Sequence, residues 1–326
     1  MPGATVAAAD LAPSICLFHL VWAPLGLDRF RAFLDSYRDR PTGVPHRLHI
    51  LFNGFAHPDE VTPYRQLLDG IEHESTVLPA PVQDIQAYLE GARVVDAEFV
   101  CFLNSYSVIL QADWLARLHH HASRASVGLV GATGTYESFL TAFLTMNASG
   151  PLRLGANPLG WPRKLLGWSK RGLRRRIFEP RYAKDHDPFP NPHLRTNAFM
   201  IRRALLLGLG FGAIRSKQDA LIFENGNRSL TRRVRDAGGA VLIVGADGLG
   251  YPVEDWPASR TFRGGAQENL LIADNRTREF LAAPAELRRV LGRLAWGDQA
   301  SDPIADADAV ASSPTPRPVD AAPEVR

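Results

Sequence analysis

Apolar residues fall in short unbroken runs, separated by stretches whose apolar positions recur at helical spacing. ICLFHLVW, Ile15 to Trp22, is a continuous apolar run, the pattern of a strand buried on both faces. LDRFRAFLDSY follows with apolar side chains at Leu27, Phe30, Phe33, Leu34 and Tyr37, which predicts an amphipathic helix. RLHILFNGF, Arg47 to Phe55, predicts a second strand that stops at the turn pair Asn53-Gly54. Asp59 to Ile71 predicts a helix, Thr76 to Pro79 a short extended piece, Val82 to Val95 a further helix, and Glu98 to Leu103 a strand. Strands alternating with helices imply right-handed crossovers and a mostly parallel sheet flanked by helices, an α/β fold.

The middle of the chain changes character. Residues 158–190 form a basic amphipathic insertion. Within WPRKLLGWSKRGLRRRIF, the stretch Arg163 to Arg176 carries seven basic residues and no acid, interleaved with Leu165, Leu166, Trp168, Leu173 and, just after it, Ile177. That composition suits an anionic membrane surface or a polyanionic substrate, and equally a solvated basic helix covering part of the core. No nucleic-acid-binding module frames it, so sequence-specific nucleic-acid recognition is not expected. Structure resumes at Leu194 to Leu207. Ser216 to Tyr251 predicts a loop, one helix of about ten residues, a Gly238-Gly239 stop and a strand. From Gly297 the chain is rich in Ala, Asp, Pro and Ser, which predicts a disordered tail over 297–326 and one folded domain over 14–296.

Composition narrows the class without naming it. The chain has 326 residues, 45% hydrophobic and 22% charged, ordinary for a soluble globular protein. A net charge of +3 excludes a polycation built to coat nucleic acid. The two cysteines, Cys16 and Cys101, sit in apolar runs and read as buried thiols of a reducing compartment. The most apolar run, Ile15 to Leu27, is interrupted by His19 and Pro24 and falls short of the ~18–20 residues that span a bilayer. The start, MPGATVAAADLAPS, has no basic region before its apolar residues. A cytoplasmic protein is expected, peripheral at the inner membrane face if the basic stretch meets lipid.

Ligands of parallel sheets bind outside the carboxyl ends of the strands. That rule selects His19 to Pro24, Asn53 to Asp59, and Asn104 to Ser107. At these positions a family resemblance becomes visible. FVCFLNSYSVILQADWLARL (Phe99–Leu118), LRTNAFMIRRALLLGLGF (Leu194–Phe211) and FENGNRSLTRRVRDAGG (Phe223–Gly239) together resemble the GT-A glycosyltransferases, in particular the inverting, family 2-like enzymes. The resemblance covers roughly residues 14 to 250. It implies a Rossmann-like sheet and transfer of a hexose from a nucleotide diphosphate sugar to a polysaccharide or lipid-linked acceptor. It also implies donor-binding roles for Asn53, Asp84, Asn104, Tyr106, Arg195 and Lys217, with His57 and Asp59 near the base. Glu224 or Asp219 would be the catalytic base. Asp247, Tyr251 and Trp256 would belong to a loop closing over the diphosphate.

Two departures from the family pattern qualify this. The family holds a metal with Asp-x-Asp, where this chain has Asn104-Ser105-Tyr106. Mg2+ and Mn2+ prefer charged oxygens, and a neutral amide and a phenol are poor substitutes. No metal ligand is therefore assigned, and Mn2+ or Mg2+ stays open as a cofactor. Either Arg and Lys replace the metal, with Arg195, Lys217 and the basic stretch as candidates, or donor chemistry is lost. In the second case the chain is a nucleotide-sugar or glycan-binding protein. The other departure is Glu224-Asn225 in place of Glu-Asp, which leaves Glu224 either the base or a structural carboxylate at the helix Arg228 to Arg235. Asp84 either touches the nucleotide or caps its helix. His119-His120-His121 point different ways on a helix and predict a solvated helix end rather than a metal site.

Overall fold

Two-sided burial of ICLFHLVW requires partners on both edges and cover on both faces. The computed structural model, which describes residues 14–146, 176 and 178–301, supplies both. The strands are β1 (Ile15–Trp22), β2 (Arg47–Asn53), β3 (Glu74–Val77), β4 (Phe99–Leu103), β5 (Val108–Ile109) and β6 (Val127–Gly131). They continue as β7 (Gly134–Thr135), β8 (His193–Leu194), β9 (Ala198–Arg202), β10 (Ala240–Val244), β11 (Gly250–Tyr251) and β12 (Ile272–Ala273). Eight of them form one sheet in the order β11-β10-β6-β9-β4-β1-β2-β3. The sheet is mostly parallel, with β9 and β11 antiparallel to their neighbours, as the alternation of strands and helices predicts.

Side chains of β1 alternate between two cores. Ile15, Leu17 and Val21 join Phe30, Phe33, Leu34, Trp114 and Leu118 on one face. Cys16, Phe18 and Leu20 join Tyr88, Phe102, Phe199, Phe223 and Trp256 on the other. The helices Gly26–Asp39 and Trp114–Ala122 cover the first face; Asp84–Val94, Lys217–Asn225 and Leu230–Asp236 cover the second. Both cysteines are free and buried, and burial pushes the Cys16 thiol up to about 12. His19, in the middle of β1, stacks on Phe33 at 3.6 Å, and burial holds its imidazole down at about 3, so it is neutral core.

Several elements differ from the pattern-based expectation. The predicted helix Asp59 to Ile71 is a 3-10 turn, Pro58–Val61, followed by a short helix, Thr62–Gln66. Pro63 has no N–H to continue a helix from the preceding turn, but fits the start of a new one. The single helix expected within Ser216 to Tyr251 is two, Lys217–Asn225 and Leu230–Asp236. Gly226 ends the first, where a Cβ would lie 2.7 Å from the Ile222 carbonyl oxygen, and the Ser229 hydroxyl caps the second by accepting from Arg232 N–H. His121 is buried with Nε2 2.9 Å from the Gly248 carbonyl, so the histidine run is not a wholly solvated end. The basic stretch Arg163 to Arg176 lies outside the described residues except for Arg176, and the tail beyond residue 301 lies wholly outside them. Among the described residues, no helix is long and apolar enough to cross a membrane.

Three features of the topology bring chain segments together. The chain proceeds from β1 to β2 and β3 on one side and to β4 on the other, opening a crevice at the carboxyl ends. β9 runs antiparallel beside β4 with Ala198 opposite Leu103, so the residues just before β9 arrive where β4 ends. The ribbon of β5 and β12 pairs Ala273 with Val108, which sets Asp274 and the helix Asn275–Ala282 beside the turn after β4.

Trp256 tests the packing of the second core. It is 0% exposed, donates its indole N–H to the Tyr251 carbonyl, and lies beside Gly134, where a Cβ would come within 2.9 Å of its ring. Trp256→Ala is expected to destabilise the fold by about 3–5 kcal/mol. Urea unfolding should show a lower midpoint with an unchanged slope.

Candidate functional site

At the carboxyl ends of β1, β2 and β4 lies a cleft of about 450 Å³. Its walls come from seven parts of the chain. Leu20, Trp22, Leu25 and Asn53 close one end; Val82, Gln83 and Asp84 lie at the start of the Asp84–Val94 helix. Asn104, Ser105 and Tyr106 form the turn after β4, and Arg195, Thr196 and Asn197 precede β9. Glu224 and the segment Asp274, Asn275 and Arg276 complete it.

Of the sequence-predicted site residues, Asn53, Asp84, Asn104, Tyr106, Arg195 and Glu224 meet in this cleft. Lys217 and Asp219 do not line it: Lys217 is exposed at the start of its helix, and Asp219 is that helix's capping box. The Asp219 carboxylate accepts from the Ser216 hydroxyl and from the Ser216 and Arg215 N–H groups, and these bonds, that of the hydroxyl foremost, hold it below the usual range. Asp247 and Tyr251 also lie outside, hydrogen-bonded to each other at 2.5 Å and to Asn269. Trp256 is core, and His57 and Asp59 lie on the turn beyond β2, away from the cleft lining.

Several cleft residues are already engaged. Asn53 is clamped to Val82, donating to its carbonyl at 2.9 Å and accepting from its N–H at 3.1 Å. Beside it, Gly54 holds φ +83°, and a Cβ there would come within 2.6 Å of the Trp22 ring, so this turn requires glycine. The Asn104 side chain closes a tight turn, its Oδ1 accepting from Tyr106 N–H at 3.0 Å and Ser107 O–H at 3.1 Å. An amide oxygen held this way is unsuited to a divalent cation. Among the described residues, no group of three or more His, Cys, Asp or Glu is placed to hold a metal ion. The turn after β4 therefore does not fit the metal grip that the Asp-x-Asp pattern provides.

Arg195 and Asp274 form the central ion pair. Nη2 donates to Asp274 Oδ2 at 2.7 Å, Nη1 reaches Thr133 Oγ1 at 3.3 Å, and the guanidinium lies 4.3 Å from the Phe262 ring centroid. Asp274 is itself the N-cap of Asn275–Ala282, accepting from Thr277 N–H at 2.9 Å. Burial opposes its ionisation, but the Arg195 charge and these hydrogen bonds outweigh burial and hold the carboxyl below its ordinary value. Sequence reasoning missed Asp274; the one local signal was the capping box Asp-Asn-Arg-Thr, and nothing local marked it as the partner of Arg195.

Glu224 stands in the last turn of Lys217–Asn225. Its Oε1 accepts from the Thr196 N–H at 3.0 Å and hydroxyl at 3.2 Å, while Oε2 makes no hydrogen bond among the described residues. It neither caps the following helix, which Ser229 does, nor pairs with that helix's arginines. Across the same wall, Asp84 accepts from Ile85 N–H at 2.8 Å. Burial raises the Asp84 carboxyl, that hydrogen bond draws it back, and the Glu224 charge adds to the rise. Asn197 Oδ1 accepts from Thr133 at 2.7 Å, while its buried Nδ2 has no hydrogen-bond partner among the described residues.

Removing Asp274 leaves the Arg195 cation buried without its partner, so Asp274→Ala should cost about 3–5 kcal/mol. The pH dependence follows from the depressed carboxyl. Its contribution is complete above the unfolded value near 3.8 and fades as pH falls below that towards the lower folded value. Asp274→Asn keeps a capping oxygen but should flatten this part of the acid limb in pH-dependent unfolding.

No protein-family model matches the sequence, and no curated protein matches it. Solved structures do match. A mannosyltransferase from Pyrobaculum calidifontis, in complex with GDP-Man and Mn2+, is 12% identical over 77% of this chain and 61% of its own, with a TM-score of 0.43. Glucosyl-3-phosphoglycerate synthase from Mycobacterium tuberculosis, with Mn2+, UDP and phosphoglyceric acid, is 16% identical over 71% of this chain and 68% of its own, at 0.39. GalNAc-T7 with UDP, GalNAc and Mn2+ is 14% identical over 72% of this chain and 42% of its own, at 0.43. The chain thus spans about three fifths of the length of the mannosyltransferase it matches. The chain is similar, at low identity, to these GT-A-type glycosyltransferases, and the likeness assigns no chemistry to the cleft.

Proposed function

We propose that the cleft binds a nucleotide diphosphate sugar and that the chain transfers its hexose, with inversion, to a hydroxyl of a polysaccharide or lipid-linked acceptor. The observation that carries this reading is Glu224, a cleft carboxylate fixed through Oε1 on Thr196 with Oε2 left without a hydrogen bond among the described residues. In a single displacement, the acceptor oxygen forms a bond to the anomeric carbon as the bond from that carbon to the diphosphate oxygen breaks. The acceptor proton passes to the Glu224 carboxylate, and the nucleoside diphosphate leaves with the electron pair. Thr196 holds the carboxylate in place for this step.

The remaining residues divide the work. Asn53 shapes the floor through Val82 rather than reading a base directly, because both ends of its amide are engaged. Trp22, held by Gly54, offers an aromatic wall to a base or sugar ring. Arg195 organises the cleft through Asp274. Residues 14–296 act as one catalytic unit in this reading, located in the cytoplasm, with Arg163 to Arg176 meeting an anionic membrane surface.

A second reading is a non-catalytic binder of nucleotide sugars. It is favoured by the Asn104 turn, whose side chain is closed on Tyr106 and Ser107. The two readings separate in one experiment. A panel of nucleotide sugars is titrated calorimetrically and assayed for sugar transfer with wild type and Glu224→Gln. Transfer is expected to fall by ~100-fold or more in the variant while donor affinity stays within a few-fold. Unchanged turnover in the variant removes Glu224 from the mechanism, and donor binding by wild type without turnover selects the binder.

A further inference from the structure

Four of the seven large apolar side chains exposed among the described residues gather on two consecutive helices. Leu281 lies near the end of Asn275–Ala282, and Leu287, Val290 and Leu294 recur at i, i+3 and i+7 along the next helix, Ala285–Trp296. These four side chains are 43–54% exposed. Helical spacing sets the last three on one stripe, with half-buried Leu291 beside it. The opposite face is the one seated on the protein. Gly292, Ala295 and Trp296 are buried there, and the Trp296 indole N–H donates to the Phe262 carbonyl at 2.7 Å. A Cβ on Gly292 would lie 3.2 Å from the Arg263 carbonyl oxygen. The helix is thus anchored by one apolar face and presents a second to solvent.

Charge decides what this face fits. Residues 275–296 hold five arginines and two glutamates. Both glutamates are ion-paired within the segment, Glu279 with Arg276 at 3.0 Å and Glu286 with Arg289 at 2.6 Å, so a surplus of three cations remains. At 3.6 residues per turn, Arg288 and Arg293 border the stripe on its two sides. A second copy of the chain fits poorly, because pairing through the stripe brings two cationic surpluses together. A face ~10 Å long also falls short of the ~800 Å² per partner of a stable protein interface. An anionic bilayer fits on both counts. Acyl chains receive a convex apolar face without a matching groove, and arginine stems lie along the interface with their guanidinium groups among the phosphates.

We propose that the Ala285–Trp296 helix, together with Leu281, docks the chain on an anionic phospholipid surface, with Leu287, Val290 and Leu294 inserted at the level of the headgroups. This surface is separate from the basic stretch Arg163 to Arg176 and stands on the described helices alone. Asn275–Ala282 lines the cleft at Asn275 and Arg276 and reaches Leu281 ~9 Å further along its axis, so docking holds the cleft close to the lipid. Joined to the transferase function proposed above, that position selects a lipid-linked acceptor over a polysaccharide. The selection rests on that reading; the docking does not.

The test is flotation of the full chain with vesicles of phosphatidylcholine alone or mixed 7:3 with phosphatidylglycerol. Wild type should float with the mixed vesicles, less so as salt rises, and stay behind with phosphatidylcholine. The triple variant L287S/V290S/L294S changes only exposed side chains, so its thermal unfolding should match wild type while its partitioning falls by about tenfold or more. R293Q should lose part of the binding and its salt dependence. Val290→Cys carries an environment-sensitive dye, since Cys16 and Cys101 are buried, and its emission should shift to the blue on mixed vesicles. Flotation that is equal in wild type and the triple serine variant overturns the proposal, as does equal flotation with both kinds of vesicle. A wild-type dimer that the serine variant converts to a monomer in light scattering, without flotation of either, assigns the stripe to a second copy and also overturns it. Recruitment through the stripe with no sugar transfer to any acceptor leaves the docking standing while the transferase reading falls. Transfer to a vesicle-borne acceptor that is undiminished in the serine variant does the opposite.

Discussion

The Arg195–Asp274 ion pair holds the cleft together. Its partners lie 79 positions apart and come from opposite walls, one just before β9 and the other at the cap of Asn275–Ala282. Charges this deeply buried persist only when paired and hydrogen-bonded, which here means Thr133, Thr277 and the Phe262 ring besides the pair itself. The antiparallel register of β9 against β4 delivers Arg195, and the β5–β12 ribbon delivers Asp274. Both devices serve one junction. With the junction made, Thr196 and Asn197 are fixed in the cleft wall, and Thr196 in turn fixes Glu224.

This arrangement also explains the separation of charge. Arg195, a candidate cation for a donor, lines the cleft with its guanidinium already ion-paired to Asp274. Among the described residues, Arg29 and Arg278 have no ion-pair partner, and both lie against Tyr106. Asn104 serves the same region through its turn, presenting Tyr106 rather than ligating an ion.

Much of the framework was legible from local pattern. The continuous apolar runs Ile15–Trp22 and Phe99–Leu103 are central strands, because burial on both faces demands such runs. The rule that ligands meet the carboxyl ends of strands located Asn53 and the Asn104–Tyr106 turn correctly within the cleft. Local pattern was less successful where a break depends on one residue. Pro63 restarts a helix, and the Gly226–Ser229 stop splits another, although the surrounding spacing reads through both. Asp219 shows the same limit: its carboxylate looked available for chemistry, but a serine three residues earlier takes it as a cap.

The sequence by itself determined β1, β2, β4 and β10, the helices Gly26–Asp39 and Asp84–Val94, the turn chemistry at Asn53-Gly54 and the absence of an acidic pair at 104–106. Each of these depends on neighbours within a few positions, and periodicity and turn preference report on such neighbours. The tertiary structure alone decided which charges meet. Arg195 with Asp274, Thr196 with Glu224, and Arg29 and Arg278 on Tyr106 are pairings across 28 to 172 positions. Their partners are chosen by sheet register and by the cost of leaving a charge or donor buried and unpaired, and no local pattern in the chain records either.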